Sequence, residues 1–225
     1  MKMDKKILIV AAHPDDEALG CGGTISRLAA DGCQIHVVFL ADGETSRGEH
    51  ANIENRDVAA LRAAKILGLQ SPVFLGLPDN QLDSLPLLEV VQKLEPEIER
   101  IAPHVIYTHH GNDLNIDHRI THQAVLTASR PQPGSPVKSI YGFETPSSTE
   151  WASPETALAF RPTRFVNIAD QLQKKLDALK CYEKEMRPFP HARSFDAVAA
   201  LARLHGASVG VEAAEAFSVI REIVV

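Results

Sequence analysis

The chain has 225 residues, of which 44% are hydrophobic, 23% charged and 5% aromatic, a length for one large domain with an aliphatic core. A net charge of −6 offers no basic footprint for nucleic acid or an anionic membrane, and no apolar run approaches a membrane span. Three cysteines without CxxC spacing read as free thiols of a reducing compartment, with Cys21 a small apolar residue.

The start, MKMDKK, is charged like a signal peptide, but the apolar run behind it is too short for one, so a cytoplasmic protein is expected. KILIVAA (6–12) is continuously apolar, as a central parallel strand covered on both faces should be. It runs into HPDDE and then GGTISRLAADG, a helix stopped at Gly32. CQIHVVFLA is a second buried strand, followed by the polar loop DGETSRGEH. Val58, Leu61, Ala64 and Leu67 recur at helical spacing up to Gly68, and PVFLGL is a third strand. LLEVVQKLEPEIERIA reads as a helix interrupted at Pro96. HVIYTHH (104–110) is a fourth strand, GNDLNIDH a loop, RITHQAVLTASR a helix and KSIYGFET a fifth strand.

This alternation predicts an α/β fold, a Rossmann-like doubly wound and mostly parallel sheet of order 3-2-1-4-5 with helices on both faces. Past Pro146 the pattern loosens: RFVNIAD reads as a strand, QLQKKLDALKCYEKEM as an amphipathic helix, and RPFPHARS as a rigid basic loop. A last helix near 195–204 and an Ala-rich stretch ending in AFSVIREIVV follow. The expectation is a single domain, with a core over 1–146 and a C-terminal cap over 147–225. The cap would shape a substrate pocket and leave room for a homo-oligomer contact.

Open α/β sheets bind ligands at the carboxyl ends of their strands, which here carry HPDDE, DGETSRGEH and GNDLNIDH. Gly20, Gly22 and Gly23 suggest a phosphate turn, but carboxylates beside a pyrophosphate repel it, and the spacing fails GxGxxG. A divalent cation reverses that sign. His13 and Asp16 flank a turn stiffened by Pro14, and strand four beside strand one lets His118 face His13. Two imidazoles and one carboxylate suit hydrolytic zinc, and ferrous iron as well. The bland readings are an acidic helix cap for Asp15–Glu17 and an exposed helix face for His118 and His122. His36, His104 and His205 are assigned to structure or solvent.

The stretch AHPDDEALGCGGTI resembles the signature of the PIG-L/LmbE-type zinc de-N-acetylases, and the LADGE loop, Arg56, LPD, the DH loop, PHARS and AEAF extend the resemblance. It implies zinc on His13, Asp16 and His118, Asp15 as general base, and removal of acetyl from an N-acetylglucosaminyl compound. Many members have His-Pro-Asp-His where this chain reads Asn115-Ile116-Asp117-His118. An Asn amide can donate to an oxyanion but cannot act as the acid, so that role is expected of His109, His110, His191 or Asp15 itself. Asp113 or Asp117 is expected to orient a ligand imidazole, and Arg56 and Arg47 to bind substrate hydroxyls or a phosphate. The competing readings are an amidase for another acyl group or a thiol conjugate, and a non-catalytic sugar- or nucleotide-binding module.

Overall fold

The computed structural model describes residues 5–50, 52–154 and 158–224, with 49 and 50 described by their backbone alone. The first four residues of the charged start therefore lie outside it. Its sheet has seven strands in the order β3-β2-β1-β4-β5-β7-β6. β1 (Lys6–Ala11), β2 (Gln34–Ala41), β3 (Val73–Leu77), β4 (Val105–His109) and β5 (Ser139–Phe143) are parallel. β7 (Ala214–Glu222) runs antiparallel between β5 and β6 (Arg164–Asn167).

The continuous apolar run of β1 serves two cores. Ile7, Ile9 and Ala11 join one with α1 (Asp16–Ala30), α2 (Ile53–Leu67) and α5 (Leu172–Cys181). Leu8 and Val10 join the other with α3 (Leu87–Ile101) and α4 (Ile116–Ala128). Successive side chains point to opposite faces, so a strand buried on both cannot alternate polar with apolar.

Three expectations need correction. Pro96 does not interrupt α3, which runs through it. The helix buries Val90, Val91, Leu94, Ile98 and Ile101, and that apolar stripe outweighs one missing backbone donor. The C-terminal region does not only cap the sheet but extends it: Ser218 of β7 lies opposite Gly142 and Phe217 opposite Phe143. α6 (Phe195–Ser208) follows the PHARS loop and packs its Ala202 beside Ile168 and Ala213. Finally, the first helix begins not at the glycines but at Asp16, and its backbone breaks at Cys21 (φ −145°, ψ 22°).

The glycines of α1 serve close packing. A Cβ on Gly20 would overlap the Phe143 ring, and one on Gly23 would approach Ile168 Cδ1 to 2.7 Å. In an ordinary helix Gly→Ala stabilises by about 1 kcal/mol. Gly20→Ala is instead expected to destabilise by about 1–3 kcal/mol through overpacking, read by denaturant unfolding. A gain in stability would mean that Phe143 moves aside freely.

Candidate active site

The carboxyl end of β1 delivers Ala12 and His13 to the point where the strand order reverses, between β1 and β4. The Ala12 N–H donates to His109 Nε2 at 2.9 Å, tying the ends of the two strands together. A tight turn follows: His13 N–H donates to Asp16 Oδ2 (2.9 Å), and Asp16 N–H donates to His13 O (3.2 Å). Asp15 caps α1 at φ 134°, ψ −27°, a conformation costing an L-residue about 1–3 kcal/mol. Buried Glu17 supports it, accepting from Asp15 N–H (3.0 Å) and pairing with the Tyr182 hydroxyl (2.7 Å).

Three ligand atoms converge there. His13 Nδ1 lies 3.3 Å and His118 Nε2 3.4 Å from Asp16 Oδ2, and all three residues are buried. Asp16 Oδ1 and His118 Nε2 are buried without a hydrogen-bond partner, a costly state that a cation would relieve. The far ring nitrogens each face carboxylates. His13 Nε2 donates toward Asp117 Oδ2 (3.0 Å) and Asp79 Oδ1 (3.1 Å), which leaves Nδ1 as the ring nitrogen facing Asp16. His118 Nδ1 sits 3.1 Å from Asp113 Oδ1, and Asp113 is fixed by Ser148 Oγ and by Thr149 Oγ1 at 2.6 Å. Asp117 is fixed by N–H groups of Asn80 (2.7 Å) and Leu82 (3.0 Å). Such carboxylate–imidazole contacts set tautomer and ring orientation in metal sites. Asp113 and Asp117 thus each take one of the two histidines.

The electrostatics agree with the donor set. Burial works against charge on His118, yet Asp16 and Asp113 raise it to about 9. Burial likewise opposes charge on His13, which Asp117, Asp16 and Asp79 nonetheless push well above the usual histidine range. Despite burial, His118 and His109 hold Asp16 well below the usual carboxylate range. The field here favours positive charge, and a divalent cation can take the place of the imidazole protons.

Asp15 faces a different environment. Burial pushes it up to about 6, against the pull of Arg56 and Arg193. Arg193 Nη1 lies 3.0 Å from Asp15 Oδ2, and Arg56 Nη2 lies 3.4 Å from Oδ1. Arg56 is also paired with Glu185, which accepts from Arg47 Nη2 at 2.8 Å. A cleft of about 130 Å³ opens over His13 and Asp15, walled by Asn80, Asn115, Arg47 and Arg193. A larger cavity of about 250 Å³ lies beyond Arg56 and Glu185 and does not include His13.

Other expected residues stand elsewhere. His109 is fully buried, stacked on His118 with ring centroids 3.9 Å apart, and burial with the His118 charge lowers it to about 4. Its Nε2 accepts from Ala12 and its Nδ1 meets Thr145 Oγ1 at 3.2 Å, so it is a floor for the ligands rather than an acid at the cleft. His191 also stands off the cleft wall, its Nδ1 accepting from Arg193 N–H (3.0 Å) and its ring against Trp151. His110 bonds Leu158 O and His122 bonds His109 O. Asn115 caps α4, its Oδ1 accepting from Asp117 N–H (2.8 Å), while its Nδ2 contacts Asn80 Oδ1 (3.3 Å) at the cleft wall. Arg56 and Arg47 engage Asp15 and Glu185, so the first duty of this pair is to the protein's own acids. Arg193, Glu185 and the Glu17–Tyr182 contact escaped the sequence reading. Only Arg193 carried a signal, because it lies in the PHARS segment.

The family model described as PIG-L: GlcNAc-PI de-N-acetylase matches residues 8–129. The chain belongs to the PIG-L family. The uncharacterized deacetylase YaiS of Escherichia coli (strain K12) is 34% identical over 182 residues, covering 78% of this chain and 89% of that protein. The diacetylchitobiose deacetylase of Thermococcus kodakarensis is 30% identical over 202 residues, covering 80% and 70%. Among solved structures, the 4-carboxy-2-hydroxymuconate hydratase GalB of Pseudomonas putida KT2440 superposes with TM-score 0.77 at 22% identity, covering 98% of both chains. At that identity the likeness is one of fold. The PIG-L fold does not by itself choose a reaction, which has to be argued from the site.

Proposed function

We propose that the protein is a hydrolase that removes acetyl from an N-acetylglucosamine-type sugar or sugar conjugate, releasing acetate and a free amine. It would use a divalent cation held by His13, Asp16 and His118. Zinc is the preferred ion, and the same donors also suit ferrous iron. The observation that carries the reading is the convergence of those three donors beside Asp15, a carboxylate kept off the ligand set by its own turn. The deacetylases among its relatives support the acetyl group and the sugar.

The cation supplies Lewis acidity, acidifying water and polarising an amide carbonyl. Asp15 takes a proton from the attacking water, and the Asn115 amide donates to the oxyanion that forms at the carbonyl carbon. The C–N bond then breaks, and the proton held on Asp15 passes to the departing nitrogen. With His109, His110 and His191 away from the cleft, Asp15 acts first as base and then as acid. Arg193 and Arg56 hold Asp15 in place and favour its ionised form.

That electrostatic duty has a sign. A base works only when ionised, so turnover falls as pH drops through its pKa. Arg193 favours the carboxylate, so Arg193→Gln is expected to move the acidic limb of kcat/KM to higher pH. An unmoved limb would separate Arg193 from the base. The function itself is tested by mass-spectrometric screening of N-acetylated sugars and conjugates with the zinc-loaded chain. Acetate release from an N-acetyl sugar is the expected result. Hydrolysis confined to larger acyl groups or thiol conjugates would overturn the acetyl assignment. Binding without hydrolysis would overturn catalysis.

A further inference from the structure

The break in α1 holds a buried ion pair that the proposed reaction does not use. In an unbroken helix the N–H of residue 23 would donate to the carbonyl of residue 19. Here the Leu19 carbonyl accepts from Lys175 Nζ at 2.8 Å, and the Gly23 N–H donates to Glu215 Oε1 at 2.9 Å. Glu215 Oε2 also accepts from Thr24 N–H at 2.6 Å, and Lys175 Nζ meets Glu215 Oε1 at 2.6 Å. Both residues are 4% exposed. The backbone groups at the break, two N–H and one carbonyl, are thus met by a chain of charge-assisted hydrogen bonds, from α5 on one side and β7 on the other. Such bonds are roughly twice as strong as neutral ones.

We infer that Lys175 and Glu215 are positioning residues that clamp the break at Cys21 and thereby aim the short first segment of α1, with Asp15 and Asp16, at the cation and substrate. That segment is only residues 16–20, too short to hold a direction by its own hydrogen bonds. Its far end is fixed by the clamp, its near end by the His13 turn. Gly23 lets the backbone approach Ile168, and Gly22 lets Lys175 pass, since a Cβ there would lie 3.3 Å from Lys175 Cγ. The C-terminal third, which supplies no ligand, is in this way coupled to the ligand Asp16. This inference rests on the proposed cation site.

Cobalt(II) is the probe, because its visible absorption reports ligand geometry without turnover. Glu215→Gln keeps size and one acceptor but places an NH2 against a backbone N–H. It is expected to weaken cobalt binding by about 10–100-fold, as loss of support behind a ligand does, to shift the cobalt bands, and to lower kcat with KM little changed. Lys175→Met should act in the same direction. Ile98→Val, a mild core truncation on α3, should leave bands and affinity unchanged. In the wild-type chain, reciprocity requires cobalt loading to slow amide exchange at Gly23 and Thr24 by a larger factor than on α3. That readout stands even if a variant fails to fold. Folded Glu215→Gln with wild-type bands and affinity, or no selective slowing at Gly23 and Thr24, overturns the clamp and leaves the proposed function standing. A wild-type chain that binds no cobalt overturns the proposed function and the clamp with it.

Discussion

Asp15→Asn is expected to keep a full complement of cation and to lose about 10²–10⁴ of kcat, the range credited to a positioned base. The two halves of that result have separate causes. Asn is nearly the same size, so it can occupy the strained cap at φ 134° and keep the turn that orients His13 and Asp16. It cannot take a proton from water, nor hand one to the leaving nitrogen. It also removes the negative charge that faces Arg193 at 3.0 Å and Arg56 at 3.4 Å. The measurement is metal per chain alongside acetate release. Activity within about tenfold of the wild type would remove Asp15 from the base role. Loss of the cation would make it a ligand instead.

His118→Ala should remove the cation and turnover together, and it should destabilise the fold. His118 is fully buried between Asp16 and Asp113, so its loss leaves two buried acids without their partner. Breaking a buried charge pair in this way costs about 3–5 kcal/mol. The sharper comparison is the response to added zinc. A ligand that binds only the folded state stabilises it by about 2.7 kcal/mol at a hundred times its Kd. The wild-type melting temperature should therefore rise with zinc, while that of His118→Ala should not. An equal zinc response in both chains would place the cation somewhere else.

The sequence determined the parts of this protein that depend on local pattern. A short run apolar on both faces and ended by a polar turn suits an interior strand, so β1 and its parallel neighbours followed, and with them the order around the switch point. The tight spacing of His13 to Asp16 around Pro14 carried two of the three convergent donors, because a short turn leaves their side chains few directions.

What depends on distant chain segments could be decided only by the tertiary structure. AEAF gives no strand period, yet Ala214–Phe217 lies buried in β7, held there by pairing with β5 and β6. Pro96 is tolerated because it lies on the exposed face of α3, while the buried stripe from Val90 to Ile101 anchors the helix on both sides of it. Histidine spacing did not reveal that His109 is a floor or that His191 faces Trp151, since exposure belongs to packing and not to residue type. Arg193, 178 residues from Asp15, reaches it only because the PHARS loop returns across the sheet's carboxyl edge. The acids beside the glycines exclude a phosphate turn, but sequence shows the flexibility of those glycines without showing its use. In the folded chain they make room for Phe143 and Ile168 against a broken helix.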